Sequence, residues 1–300
     1  MLSILLPTYN VDCSGLINDL VEQASDLAQN DQQFQFEIII ADDASTRTDI
    51  KQKIKQYADI TPCISYIALP QNIGRAAIRN LLIKAAQGQW ILMIDDDAEV
   101  VKPDFIKTYW QLRNEADVIC GDLINPTTMK PGHELRYKYE RAAMPQRSAE
   151  VRNKAPYARF TTFNFFAKKT IIQNIGFSAH IKEYGYEDVV LGLELKVQGA
   201  RVLHINNPLC HTGIDTNEAF LTKTEAALRT FAALSEHHQL QTTLGQTIQK
   251  IKKIRMHHII VLLLTPLLPI MRKHLLGSNP NLTVFKLYKL GKACAELKDE

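Results

Sequence analysis

Cysteine is sparse and unpaired in this sequence. Cys13, Cys63, Cys120, Cys210 and Cys294 fall singly along 300 residues, and no C-x-x-C pair occurs. An odd, dispersed set excludes a disulfide frame or a zinc cage and reads as buried thiols of a reducing compartment. G-x-G-x-x-G, the P-loop pattern, H-E-x-x-H and G-x-S-x-G are all missing. That removes the dinucleotide, kinase-type, zinc-protease and esterase readings. Internal repeats are absent. Long apolar runs are absent as well: the strongest, residues 259–271, is interrupted by Pro266 and Pro269 and is shorter than the roughly 20 residues a spanning helix needs. The opening MLSILLPTYN has no basic n-region and too short an apolar run for a signal peptide. These features together predict a cytoplasmic chain.

An apolar content of 46% leaves ample material for a core, in one large domain or two small ones. The net charge is only +3, but it is uneven: residues 250–300 carry ten Lys/Arg against three acids. Such a tail is either a solvated helical face or a surface that meets something anionic. No nucleic-acid partner is expected.

Strand and helix alternate over the first 120 residues. LSILLPTY is a short strand ended near Pro7, and Ile17, Leu20, Val21, Ala24, Leu27 and Ala28 recur at helical spacing after Ser14, a candidate N-cap. FEIIIA (36–41) has the continuous β-branched character of a strand buried on both faces. A short helix from Ile50 to Tyr57 and the strand ISYIAL (64–69) follow. A helix over 73–87, with Gly88 placed to stop it, leads into the strand WILMI (90–94). Pro103 suits the first turn of a helix running to about Ala116, and DVICGD returns as a strand. This alternation predicts an α/β fold with a mostly parallel sheet flanked by helices. Ligands of such sheets bind beyond the carboxyl ends of the strands. Four polar clusters fall there: Thr8-Tyr9-Asn10, Asp42-Asp43, Gln71-Asn72 and Asp95-Asp96-Asp97.

Residues 126–160 lack apolar periodicity, contain Pro126, Pro131, Pro145 and Pro156, and carry eight Lys/Arg against three acids. They read as a long irregular insertion of the kind that forms binding loops or lids. TTFNFFAKK (161–169) resumes strand character. Glu187-Asp188 opens a helix that Gly199 ends, RVLHI is a short strand before Cys210-His211, and helix dominates from about Thr216.

Three adjacent carboxylates at a strand end repel one another unless something neutralises them. A hard divalent cation does so: Mg²⁺ or Mn²⁺ prefers oxygen ligands, and Mg²⁺ takes one or two protein carboxylates together with phosphate oxygens and water. The competing reading is a solvated acidic turn. Glu187-Asp188 has a similar alternative, as first-turn acids that complement a helix dipole.

Taken as a set, PTYN, ADDAS, QNIGRAAIRN, IDDDAEV and GYEDVVLGLEL resemble the inverting family 2 glycosyltransferases of the GT-A nucleotide-diphospho-sugar fold, over roughly residues 1–215. The resemblance implies a GT-A-type sheet with a Rossmann-like nucleotide-binding half and a catalytic domain over 1–215, followed by a helical extension over 216–300. It implies that Pro7, Thr8 and Asn10 line a nucleotide pocket, that Asp42 or Asp43 accepts a hydrogen bond from the base, and that Asn72 and Arg79 approach nucleotide or diphosphate. Asp95-x-Asp97 matches the D-x-D motif, with Asp97 on the metal and Asp95 on ribose or a metal-bound water; Asp96 lies between them. Ala98 stands where family members often carry a further acid. Asp188 matches the general base and Glu187 would orient the acceptor or the helix start. His211 falls where some members place a metal or diphosphate ligand, and is otherwise a structural histidine. Asn164 matches a polar position near the acceptor, while Trp90, Phe163, Phe165 and Phe166 read as core.

The implied partners are a nucleotide-diphospho-sugar donor, UDP-linked, a glycan or lipid-linked hydroxyl acceptor, and Mg²⁺ or Mn²⁺. The implied setting is bacterial polysaccharide or glycan synthesis. Two rivals are a sugar-phosphate nucleotidyltransferase and a non-catalytic scaffold of the same fold. The first usually wants a Gly-rich basic loop after the first strand, where this chain reads PTYNVDCSG. Finally, KKIR and RKH flank the apolar run within about 250–276. Basic residues on both sides suit a segment lying in the interface of the cytoplasmic leaflet of the inner membrane; packing on the catalytic domain or a partner subunit is the alternative.

Overall fold

A computed structural model describes residues 1–181 and 183–297. Lys298, Asp299 and Glu300, part of the charged tail counted above, lie outside the described residues. Eight strands form one sheet: β1 (Leu2–Thr8), β2 (Phe36–Asp42), β3 (Ile64–Ala68), β4 (Trp90–Ile94), β5 (Ala98–Val100), β6 (Val118–Ile124), β7 (Asn164–Lys168) and β8 (Val202–His211). Their order is β3-β2-β1-β4-β7-β6-β8-β5. The first four strands pair in parallel; β7 enters antiparallel between β4 and β6, and β5 closes the far edge antiparallel to β8. The parallel half is thus the one expected, and the other half is mixed.

The helices are α1 (Ser14–Asn30), α2 (Thr48–Ile60), α3 (Arg75–Ala85), α4 (Phe105–Leu112), α5 (Glu134–Ala143), α6 (Ala149–Asn153), α7 (Lys169–Ile175), α8 (Glu187–Val197), α9 (Asn217–Ala233), α10 (Glu236–Gln239), α11 (Thr243–Lys253), α12 (His257–Leu264), α13 (Leu268–Leu275) and α14 (Leu282–Glu296). Alternation along each strand feeds two cores. Leu2, Ile4, Leu6, Ile38, Ile40, Leu92 and Ile94 face Ile17, Leu20, Ile54 and Phe105 on one side of the sheet. Leu5, Ile39, Ile91 and Met93 face Ile78, Leu82, Leu191 and Leu195 on the other. Both faces being covered explains why these strands read as unbroken apolar runs.

Several local expectations need correction. Ser14 is not the N-cap; it is the first helical residue, and its N–H and hydroxyl both donate to the Asp12 carboxylate. Gly88 does not stop a helix. α3 has already ended, and a Cβ on Gly88 would lie 2.8 Å from Met1 O and Ser3 N, so the glycine serves close approach to β1. The helix expected to reach Ala116 ends at Leu112. RVLHI is the start of a ten-residue strand, which pairs with β6, crosses a register shift opposite Cys120/Asp122, and then carries Cys210 and His211 to β5.

Residues 126–160 are not irregular, since they contain α5 and α6. Their buried positions include Glu134, Glu140 and Arg152, so the faces that pack are largely polar and leave no apolar period. Arg152 shows how such burial is satisfied: its guanidinium donates to the carbonyls of Gly121, Arg147 and Ile205 and meets His204 Nδ1.

The C-terminal helices close on α5. Leu135 joins Phe220, Leu221, Leu275, Phe285 and Tyr288 in one cluster, and Leu228, Phe231, Ile248, Ala293 and Cys294 form a second. The five cysteines are free thiols; four are buried and Cys63 is half-buried.

Candidate active site

The carboxyl ends of β1, β2 and β4 and the N-termini of α3 and α8 meet at two adjoining cavities of about 260 Å³ each. Arg75, Asp95, Asp97, Tyr184 and Lys223 border both, which makes them one cleft with two chambers. Among the described residues, three of the four non-glycine positions with positive φ flank it: Asn10 and Ala44 after β1 and β2, and Tyr186 before α8. Backbone held in this region costs on the order of 1–3 kcal/mol per residue and persists where surrounding contacts enforce it.

In the first chamber, Pro7, Thr8, Tyr9 and Asn72 line the wall. Asp43 lines it too, and its two oxygens accept the N–H groups of Ile73 (2.7 Å) and Gly74 (3.0 Å) at the start of α3. Asp42 and Asn10 are placed otherwise. Asp42 is buried, accepting from Ser45 N–H and Tyr66 O–H, each at 2.7 Å. Asn10 Oδ1 accepts the N–H groups of Thr46 and Arg47 ahead of α2. Both residues shape the loops that form the pocket.

The aspartate triplet divides its charge three ways. Asp95 receives a 2.7 Å hydrogen bond from Arg79. Burial raises its pKa, but Arg79 and Arg75 outweigh burial and hold it below the usual carboxylate value. Asp96 has no such cation. Burial, then the charge of Asp97, push it up to about 7, although it accepts the Tyr9 N–H at 3.1 Å. Asp97 Oδ2 lies 3.1 Å from His211 Nε2, and His211 Nδ1 lies 3.1 Å from the Glu140 carboxylate. Burial opposes protonation of His211, yet the hydrogen bonds to Asp97 and Glu140 raise it to about 9. His211, with Arg136, brings Glu140 down to about 2 against its own burial. Gly213 sits against this pair: a Cβ there would meet Asp97 Oδ2 at 2.2 Å.

Arg79 is the buried keystone between the chambers. It is 1% exposed and also reaches Glu187 Oε1 at 3.5 Å, with Arg75 at 3.8 Å from the same oxygen. Glu187 is therefore turned toward cations. Asp188 lines the second chamber beside Thr162, Phe163 and His211. Burial, reinforced by the charge of Glu187, lifts Asp188 to about 6. A carboxylate in this state suits proton abstraction near neutral pH. Gly185 (φ 100°) and Tyr186 (φ 66°) make the turn that presents it, and Tyr186 packs on Phe231 of α9.

Sequence reasoning missed Arg75, Arg136, Tyr184 and Lys223, and placed Tyr9 in a strand-end cluster without giving it a role. Arg75 had a signal, since it precedes Arg79 by four residues on one helix face. Lys223 had none; it arrives from α9, pairs with Asp215 at 2.7 Å and lies 5.8 Å from the Tyr184 ring, while Arg75 covers the same ring at 5.0 Å. Asn164, expected near the acceptor, is buried, accepting from Tyr109 O–H at 2.6 Å and donating to Asn207 O. Trp90, Phe165 and Phe166 are core as expected, whereas Phe163 also borders the second chamber, edge-on to His211.

Among the described residues no group of three or more His, Cys, Asp or Glu side chains forms a metal cage. The Asp97–His211 pair is nevertheless compatible with a hard cation that would take the place of the Nε2 proton of His211 and keep most of its shell for phosphate and water. Its donor atoms are adjacent, and the far nitrogen of the imidazole is fixed by a carboxylate, the arrangement that orients metal-bound histidines.

A curled α/β sheet with an acid-lined cleft at its strand ends and helices beyond it is the GT-A architecture. Residues 3–176 match the sequence model of Glycosyl transferase family 2, and the chain belongs to that family. The match ends before Glu187, Asp188 and His211. A dolichyl-phosphate beta-glucosyltransferase of Dictyostelium discoideum is 27% identical over 40% of this chain and 39% of its own length. The minor teichoic acid biosynthesis protein GgaB of Bacillus subtilis is 24% identical over 60% of this chain and 19% of its own. This chain therefore spans well under half of either relative. In fold, it resembles S. aureus TarS 1-349 in complex with UDP-GlcNAc (TM-score 0.53, 15% identity, 99% of this chain and 89% of that one). It also resembles the mannosyltransferase PcManGT from Pyrobaculum calidifontis in complex with GDP-Man and Mn²⁺ (TM-score 0.51, 13% identity, 77% and 63%). Its relatives include proteins named for bacterial teichoic acid and colanic acid biosynthesis.

Proposed function

We propose that this chain transfers a sugar, with inversion, from a nucleotide-diphospho-sugar, UDP-linked, to a hydroxyl of a glycan or lipid-linked glycan on the cytoplasmic side of a bacterial membrane. The observation that carries the reading is a single cleft with Asp188 on one wall and the Asp97–His211 pair bordering the same chamber. The nucleoside sits against Pro7, Thr8, Tyr9 and Asp43, and the diphosphate passes Arg75 and Lys223, which border both chambers. An acceptor hydroxyl enters beside Asp188. Its oxygen forms the new bond to the anomeric carbon as the bond from that carbon to the diphosphate oxygen breaks. The proton passes to Asp188, and the nucleoside diphosphate leaves with the electron pair. Because Arg79 and Arg75 neutralise Glu187, the pair Glu187-Asp188 carries one free base rather than two. Asp97 and His211 would hold Mg²⁺ or Mn²⁺, which when bound supplies charge neutralisation at the leaving group. Asp95 is braced by Arg79 toward the same place.

The test incubates the protein with UDP-sugars, Mn²⁺ and hydroxyl acceptors and reads the anomeric configuration of product by NMR. A product of inverted configuration, lost in Asp188→Asn while UDP still binds, is expected. Retention of configuration, or turnover unaffected by Asp188→Asn, overturns the assignment. Pyrophosphate release from a nucleoside triphosphate and sugar phosphate would instead mark a nucleotidyltransferase.

A further inference from the structure

α12, the 3₁₀ turn Thr265–Leu267 and α13 run on as a helical stretch, His257–Leu275, long and apolar enough by length and composition to cross a bilayer. Thirteen apolar residues were expected here to be too few; the folded stretch is 19 residues long. Its inner face is already engaged. Leu268 and Met271 pack with Leu275 on Phe285 and Tyr288, and Gly291 of α14 lets Leu264 and Leu268 approach so closely that a Cβ there would meet them at 3.0 and 3.2 Å. A span would have to abandon that packing. The outer face is apolar too. Ile259, Leu262, Leu263, Leu267 and Ile270 recur at helical spacing and are exposed, Leu262 by 75% and Ile270 by 68%. A helix apolar all round belongs in a core or in lipid, and among the described residues no protein covers the outer face of this one.

Charge identifies the occupant. Residues 237–295 contain no Asp or Glu. Lys252, Lys253 and Arg255 are exposed before the stretch, and Lys273 is exposed at its end, while Arg272 turns back to Glu218 and Glu225 of α9. A second copy docked on this face, parallel or antiparallel, would set a basic end against a basic end. An anionic lipid surface matches both the apolar stripe and its basic ends. We propose that the outer face of His257–Leu275 seats in the interfacial layer of an anionic bilayer leaflet, with the inner face remaining on α14. α14 in turn packs on α9, the helix that carries Lys223 to the cleft. Seating the helix therefore fixes the orientation of the cleft relative to the lipid. The surface stands independently of the transfer reaction proposed above.

The experiment is co-sedimentation of the full chain with phosphatidylcholine vesicles, pure or containing about one-third phosphatidylglycerol. Wild type is expected to pellet with the anionic vesicles, to leave the neutral ones mostly unbound, and to bind less as salt rises. Leu262→Ser/Leu263→Ser/Ile270→Ser should lose at least about tenfold in partitioning, with an unchanged circular dichroism spectrum. Lys252→Glu/Lys253→Glu, which leaves the apolar face intact, should lose the preference for anionic lipid. Wild type that ignores anionic vesicles, or a triple variant that binds as wild type does, overturns the proposal. So does a wild-type dimer that the triple variant abolishes while vesicles stay unbound, which would assign the face to a second copy.

Discussion

At the scale of single residues, the cleft keeps charges where water would otherwise be cheaper, and each has a named counterweight. Asp96, pushed up to about 7, and Asp188 are the exceptions, and the folded pKa of Asp188, about 6, lies above the ordinary aspartate value. The native state therefore carries a cost above pH 6 that disappears below about pH 4, where the group is protonated in both states. Asp188→Asn should raise stability on the order of 2–3 kcal/mol at pH 8 and by nothing at pH 3.5, read from denaturant midpoints at the two values. The same shift predicts that kcat/KM rises with pH through about 6 and then levels, as the base loses its proton. A profile flat between pH 5 and 7 would remove Asp188 from that role. Arg79 has the opposite balance. Replacing it with Met leaves Asp95 and Glu187 without their buried partner and should cost about 3–5 kcal/mol, with Arg79→Lys intermediate because one charge remains but the fork is gone. Urea unfolding of the two variants decides it; an Arg79→Met protein as stable as wild type would mean that water already solvates both acids.

At the scale of elements, the parallel strands and their polar ends were legible because β1, β2 and β4 are buried on both faces and announce themselves as apolar runs. The Asp triplet and Glu187-Asp188 were legible for a related reason: charge directly after or before an apolar element is conspicuous. The second half was less readable. α5 packs through Glu134 and Glu140 as well as Leu135, so its hydrophobic period is erased. β8 changes neighbours midway, and RVLHI shows only its first half. Asp42 and Asp43 are adjacent in sequence, and only the fold separates the one that braces Ser45 and Tyr66 from the one at the cleft wall. The turn before α8 is a further such element. Gly185 has φ of 100°, and a Cβ there would sit 2.7 Å from Ala227 Cβ of α9. Gly185→Ala should therefore destabilise by about 2–3 kcal/mol and shift Asp188, lowering kcat more than UDP affinity. Equal losses in both would place the damage in general unfolding rather than at the helix start.

At the scale of the whole molecule, the helical extension does not behave as an appendage. The sequence divides naturally near residue 215, yet contacts essential to the cleft cross that line. Lys223 of α9 borders both chambers, Ala227 and Phe231 hold the Gly185-Tyr186 turn, and Leu135 of α5 is buried among Phe220, Leu221 and Phe285. Asn217 adds polar ties, accepting from Leu135 N–H at 2.8 Å and donating to Glu134 at 2.9 Å and to Gly277 O at 3.1 Å. A chain ending at Asp215 would expose that apolar cluster, remove the Asn217 partner of Glu134 and free the turn that presents Asp188. Calorimetry and gel filtration of residues 1–215 should accordingly show UDP affinity reduced by at least about tenfold, the loss of roughly one good charged contact, together with aggregation through the uncovered α5 surface. A monomeric fragment that binds UDP as tightly as the full chain would establish 215 as a true domain boundary and reduce α9 to a passive cover.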